Sequence, residues 1–428
     1  MTTTLSANEV RKTLDSLEAG QEAFAKRYPG DGAKRQPVHT VYGGGHLFKA
    51  DTAVKLGKLA KKSLAEHAPD ALTFASAIGL PEAAAGIVYE RTLAKLDREP
   101  VEDYRIDFED GYGSRSDAEE DGHVELAAAE LAKGAKAGSL PPFVGVRVKP
   151  FTRELAARSL RTLDLFLTTL ATEMGGGLPP GFVVTFPKVQ FPEQLRAFVA
   201  ALGVLEARLG LPTVPIEIMV EQTQTIFGAD GRSMLPLLHD AADGRLVGAH
   251  FGTYDYTASC GITAAHQHMT HSACDFARHM MQVAFGGTGV FLSDGATNVM
   301  PVGAREAVHR AWRLHSEHVR HSLAHGWYQG WDLHPAQLPT RYAAVIAFFL
   351  DGLPAATERL RNFVEKAARA TLVGDVFDDA ATGQGLLNFF LRGLACGALT
   401  EAEALATGLT IDEYRSRSFA RILENRRR

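Results

Sequence analysis

Cysteine is scarce in this chain: Cys260, Cys274 and Cys396 are the only three among 428 residues. An odd count with no paired metal spacing argues against a disulfide framework or a cysteine–zinc centre. Basic residues are not in excess either. The formal net charge is −5, whereas nucleic-acid binding needs a concentrated basic surface. No apolar run reaches the length of a membrane span, and MTTTLSANEVRKTLDSL lacks the basic-then-apolar pattern of a secretory signal. Fixed-period repeats and low-complexity tracts are absent too. What remains is a globular chain, 46% hydrophobic and 22% charged, with ample material for a core. It is expected in the cytoplasm, without nucleic-acid or membrane partners.

Short β-rich runs alternate with helix-patterned segments. The runs are VHTVYG (38–43), YRIDF (104–108), FVGVRV (143–148), FVVTFPKV (182–189), PIEIMV (215–220), LVGAHF (246–251), TGVFLSD (288–294) and GWDLH (330–334). Strands alternating with helices predict a parallel sheet with helical crossovers. A count of eight favours an α/β fold of the closed (β/α)8 TIM-barrel type. Residues 1–35 read as an N-terminal helical segment with a polar connector, 36–340 as the barrel, and 341–428 as a C-terminal helical extension. The apolar faces of that extension point to self-association.

In such a barrel, functional groups belong at the C-terminal strand ends. Asp107, Glu109 and Asp110 stand there in strand two, Arg147 and Lys149 in strand three, and Lys188 in strand four. Glu221 follows strand five, Asp255 follows strand six, and His334 ends strand eight. Carboxylates converging from several strands suit a hard divalent cation such as Mg²⁺, with Arg147 beside them to clamp a substrate carboxylate. Alternatively, each acid simply closes its own loop. The turn HFGTYDYTASCG adds backbone N–H groups from Gly252, Thr253 and Tyr254 that can hold an oxyanion.

These same stretches carry a family resemblance. IDFEDGYG, GVRVKPF, FPKVQFPEQL, IEIMVEQTQTIF, HFGTYDYTASCG and WDLHPAQL, in that order, resemble motifs of the citrate lyase β-subunit/HpcH–HpaI aldolase superfamily, malyl-CoA lyases included. The resemblance implies a lyase or aldolase that cleaves a small 2-oxo or 2-hydroxy acid, or its CoA thioester, through a metal-stabilised enolate. It gives Mg²⁺ or Mn²⁺ to Glu221 and Asp255, and a substrate clamp to Arg147. Asp107, Glu109 and Asp110 become supporting acids, and coenzyme A enters as part of the substrate where that is a thioester. Departures from the pattern are Lys149 in place of Asn, Gln190 in place of Glu, and Gln222 in place of Thr. A malate-synthase-like condensing enzyme, with Asp412 as its extra acid, is a neighbouring reading. Phosphoenolpyruvate-type phosphoryl transfer and a catalytically silent binding barrel are two more.

Several features weigh less. YGGGHLFKAD could cradle a phosphate at a helix start but lacks the Walker spacing; His46 within it is a candidate base. His266, His268, His271 and His279 invite a zinc reading, yet loop or surface histidines fit them better. His318, His321 and His325 share one face of a charged helix and are expected at solvent or a subunit contact. His334 is a candidate for touching substrate. The aromatics of GWYQGW are expected to pack in the barrel's last strand.

Overall fold

Eight parallel strands close into a barrel in chain order, β1-β2-β3-β4-β5-β6-β7-β8. They are β1 His39–Gly44, β2 Asp103–Asp107, β3 Phe143–Arg147, β4 Phe182–Phe186, β5 Ile216–Val220, β6 Leu246–Phe251, β7 Phe291–Ala296 and β8 Gln329–Asp332. This computed structural model of the chain describes residues 3–30, 35–369 and 380–427. Part of the polar connector (31–34), the end of one helix-patterned segment (370–372) and Arg428 of the basic C-terminus lie outside them.

Outward-facing strand positions are apolar because helices cover them. Ile106, Val144, Val146, Val184, Ile216 and Ile218 are all fully buried. Inward positions alternate with these and are unusually polar. Arg105 reaches across the axis to Glu217 at 2.8 Å and pairs with Asp103 at 2.8 Å. Glu217 bonds His250 at 3.0 Å, and His250 Nδ1 accepts from the Trp331 indole at 2.9 Å. Because an indole nitrogen only donates, that bond fixes His250 as its Nε2–H form toward Glu217. A polar column thus runs down the barrel axis.

The outer helices are α1 Ala7–Arg27, α2 Thr52–His67, α3 Ala71–Ile78, α4 Glu82–Arg98, α5 Asp117–Ala137, α6 Ala156–Met174, α7 Pro192–Leu209, α8 Thr223–Ile226 and α9 Leu235–Ala241. After β6 come α10 Thr253–Ser259, α11 Ser272–Phe285 and α12 Arg305–Ala324. The chain ends in α13 Leu338–Arg369, α14 Ala380–Cys396, α15 Glu401–Leu405, α16 Ile411–Ser416 and α17 Phe419–Arg427. The long β1–β2 connection is explained by three helices, α2–α4, where one would suffice.

Helix α1 starts on a Ser6/Glu9 capping box, which satisfies N–H groups that the first turn leaves free. None of its residues is buried, and Val10, Leu14, Leu17 and Phe24 form an exposed apolar stripe. At the other end of the chain, α14 packs beneath the barrel's N-terminal face. Its Arg392 donates to Gln36, just before β1, at 3.1 Å and lies 4.1 Å from the Tyr328 ring, just before β8. Glu403 of α15 holds Arg91 of α4 at 2.7 Å. Phe349 and Phe390 are buried there. Among the described residues no single helix is long and apolar enough to cross a membrane.

Candidate active site

Period-two alternation aims Asp107 and Arg147 into the barrel, and the β2–β3 register places them side by side. Asp107 receives Arg147 Nε at 2.7 Å and Nη2 at 2.6 Å, a two-pronged pair. The same carboxylate accepts from the backbone N–H groups of Glu109 (2.9 Å) and Gly111 (2.7 Å). Closing a loop and orienting Arg147 are therefore one arrangement rather than alternatives. Arg147 Nη1 meets Glu109 at 2.9 Å, and its guanidinium lies 4.8 Å from the Tyr42 ring and 6.0 Å from Trp331, within cation–π range. Burial opposes its charge, but Asp107 and Glu109 hold its pKa well above the ordinary value. Asp107 occupies the Nε–Nη2 edge of the guanidinium, while Nη1 faces Met219 Sδ at 3.5 Å.

Lys188 follows β4 in the left-handed backbone region, φ +49°. That conformation is costly for a side-chain-bearing residue and concentrates at functional sites. Its Nζ contacts Glu109, lies 3.0 Å from Asp110 and approaches Asp255 at 3.7 Å. Its backbone N–H donates to Glu221 Oε1 at 2.7 Å. Glu221 is 1% exposed. Burial first, then the charges of Glu109 and Asp255, push its pKa up to about 8 against the pull of Lys188 and Arg147. Burial likewise raises Glu109, whereas at Asp110 burial is outweighed by Lys188 and Arg147 together with hydrogen bonds from Lys188 and Glu109, and its pKa is lowered. Asp255 sits in the first turn of α10. Gly252, between β6 and α10, must lack a side chain: a Cβ there would fall 2.5 Å from both Cβ and Oε2 of Glu221.

Five carboxyls (Asp107, Glu109, Asp110, Glu221 and Asp255) thus face two cations, Arg147 and Lys188. The site is short of positive charge, and its donors are all oxygen. Both properties fit Mg²⁺ or Mn²⁺.

The remaining expected residues are placed unevenly. Gly252 donates its N–H to Val220 O at 3.0 Å, so of the anticipated amide cradle only the following ones are left. Thr253 is buried, its hydroxyl without a partner among the described residues. The Tyr254 hydroxyl is engaged between Ala296 O (2.8 Å) and Asn298 N (3.0 Å). His46 stands with Tyr112 and His123, ring centroids 5.5 and 5.9 Å away, and burial followed by Arg115 lowers its pKa. His334 caps the turn after β8, its Nδ1 accepting from Ala336 N at 3.2 Å, and burial lowers its pKa. No hydrogen bond or ion pair joins either histidine to the acid cluster among the described residues. Lys149 turns away from the mouth to Phe108 O (2.6 Å) and Glu120 (2.8 Å).

Asp412, in α16, is exposed and pairs with Arg415 at 3.0 Å; its neighbour α15 lies at the face opposite the mouth. His318 is a correction. It is buried, not at solvent, and meets the Thr297 hydroxyl at 2.9 Å. Trp327 packs in the core as expected, but Trp331 is half-buried beneath Arg147. The motifs assign no role to Lys188, Tyr42 or Trp331, although Lys188 stands among the strand-end groups and Trp331 lies in WDLHPAQL. A lysine at a strand end among acids was the one available signal.

The family described as "Domain of unknown function (DUF6986)" matches residues 17–422. None of the curated proteins matches the chain. Among solved structures, a citrate lyase from Burkholderia xenovorans LB400 is similar at a TM-score of 0.59 and 18% identity, covering 88% of this chain and 100% of its own. A Haloferax volcanii malate synthase, solved as a lead(II) complex, is similar at a TM-score of 0.50 and 14% identity, covering 92% and 98% respectively. At such identities the likeness to the citrate lyase group lies in the fold.

Proposed function

The chain belongs to the DUF6986 family, whose description assigns no activity, and from the site itself we propose a divalent-cation-dependent carbon–carbon lyase acting on a small 2-oxo or 2-hydroxy acid or its CoA thioester. One observation carries this reading: Glu221 is buried beside Glu109 and Asp255 and pushed up to about 8, an arrangement that a bound cation would relieve. The fold neighbours named citrate lyase and malate synthase make carbon–carbon bond chemistry the first class to test.

In this reading the barrel, 36–340, is the catalytic unit, Glu221 and Asp255 would hold Mg²⁺ or Mn²⁺, and Glu109 and Asp110 would be the supporting acids. The ion, when bound, supplies Lewis acidity to a chelating oxo or hydroxy acid. Arg147 offers its Nη1 hydrogen to the carbonyl oxygen on which charge develops. Asp107 holds the other edge of the guanidinium so that it cannot swing. Tyr42 and Trp331 form an aromatic floor beneath it that keeps water from its underside. The reading includes self-association, which the exposed stripe of α1 supports and sedimentation velocity tests.

The functional test is a screen of 2-oxo and 2-hydroxy acids and their CoA esters for pyruvate, glyoxylate or acetyl-CoA release, with Mg²⁺ and with chelator. Chelator-sensitive cleavage is expected. Free-thiol release from acetyl-CoA and glyoxylate would assign condensation instead. Turnover of none, with no ion bound, would overturn the reading.

A further inference from the structure

On the outer layer, remote from the mouth acids, α11 and α12 bring together metal-ligating side chains that the lyase reading does not use. Asp275 and His279 lie four apart on α11, and His321 of α12 lies four residues before His325, which caps the end of that helix. That spacing puts each pair on one helix face. We propose that this surface is a second cation site, built from Asp275, His321 and His325 for a borderline transition ion of the zinc class.

Geometry supports it first. Ligand atoms of these three residues all lie within 4.8 Å of one another. Tetrahedral coordination at ~2.0–2.1 Å per bond needs ligand atoms ~3.4 Å apart. Asp275 Oδ1 accepts from His321 Nε2 at 2.9 Å, with Arg278 Nη2 3.3 Å from the same nitrogen. An ion would displace that His321 proton and take the place of the bond. His325 is exposed and closes the remainder by rotating its side chain.

Protonation supports it next. His325 Nδ1 lies 2.8 Å from the carbonyl of His321. A carbonyl only accepts, so the proton is on Nδ1 and the Nε2 lone pair is left for a ligand. Metal-bound imidazoles are characteristically oriented in this way. Both polar contacts of Asp275, from Arg278 and His321, go to Oδ1, which leaves Oδ2 for an ion. Among the described residues Arg278 is the cation paired with Asp275. It remains compensated when Asp275 turns to a metal, because Asp294 holds it at 2.8 Å and the Met269 carbonyl at 2.8 Å. The exposed His279 ring, 6.0 Å from His325, can supply a fourth ligand.

Two imidazoles with one carboxylate select Zn²⁺, Co²⁺, Ni²⁺ or Cu²⁺ over Mg²⁺, whereas the all-oxygen mouth selects the hard ions. Metal class therefore separates the two sites. By joining α11 to α12, the ion would also tie together neighbouring helices of the outer ring.

The test is Co²⁺ titration of the full chain in excess Mg²⁺, read by visible d–d absorption. It is repeated with Glu221→Gln and Asp255→Asn, so that the outcome does not depend on the mouth. One saturable Co²⁺ per chain is expected, displaced by Zn²⁺ and indifferent to Mg²⁺. His321→Gln or His325→Gln should weaken it ~10-fold or more, the scale seen even for outer partners of metal-bound imidazoles. Since His325 is exposed, its variant keeps the fold, which far-UV circular dichroism verifies. Absence of saturable absorption, or absorption that survives loss of both histidines, would overturn the proposal.

Discussion

Binding of Mg²⁺ at the mouth should expel a proton from Glu221. Its pKa stands at about 8 in the ion-free site, so near pH 7 roughly nine-tenths of the chains carry that proton. A carboxylate must be deprotonated to hold a cation. Apparent Mg²⁺ affinity should therefore rise about tenfold from pH 7 to pH 9, about 1.4 kcal/mol, and level off above. Titration calorimetry in buffers of different ionisation enthalpy should give close to one proton released per ion near pH 7 and almost none near pH 9. The linked effect on stability has a definite sign. A carboxyl raised on folding contributes fully below its unfolded pKa, and that contribution is lost as pH climbs through 8. Chelated protein should thus lose thermal midpoint between about pH 4.5 and pH 8 and level off above, while Mg²⁺-loaded protein should not. Equal affinity at both pH values with no proton released, or unaltered binding by Glu221→Gln, would refute the reasoning.

Other outcomes follow from single contacts. Asp107→Asn leaves the buried Arg147 without its principal partner and should cost about 3–5 kcal/mol in denaturant unfolding, the scale of a broken buried pair, as well as the activity. Gly252→Ala drives a Cβ into Glu221 and should abolish Mg²⁺ binding at a stability cost of about 1–3 kcal/mol, read by calorimetry alongside thermal melts. His318, lowered to about 4 by burial and then by His315, should cost the fold about 3 kcal/mol as pH falls from near 6.5 toward 4; a neutral replacement should flatten that limb of the pH–stability curve. Removing residues 1–26, which spares the Arg27–Asp240 pair, should leave the thermal midpoint of the barrel unchanged at concentrations where the chain is monomeric, since no residue of α1 is buried.

The barrel was legible because outward strand positions such as Val144, Val146 and Ile218 read as apolar runs between turn signals. The strand-end acids were legible for the same positional reason. What could not be read depends on partners distant in sequence. His318 follows the helical rhythm of a charged face, yet Thr297, from the stretch after β7, gives it a buried partner. Lys188 is an ordinary lysine until its left-handed backbone swings the ammonium among acids from three other segments. The double engagement of Arg147 by Asp107 and Glu109 required the β2–β3 register. The position of α14 beneath the barrel rests on contacts such as Arg392–Gln36, which no local pattern announces.

The polar column along the axis bears on how this protein can change over time. Outward positions such as Ile106, Val184 and Ile216 can exchange among apolar residues of similar volume at under about 1.5 kcal/mol, so drift should concentrate there. Asp103, Arg105, Glu217 and His250 cannot drift singly, because losing one partner strands a buried charge at about 3–5 kcal/mol. Those positions should change together or not at all. The family's history should therefore show its inner strand faces replaced as whole sets, while the outer faces vary residue by residue.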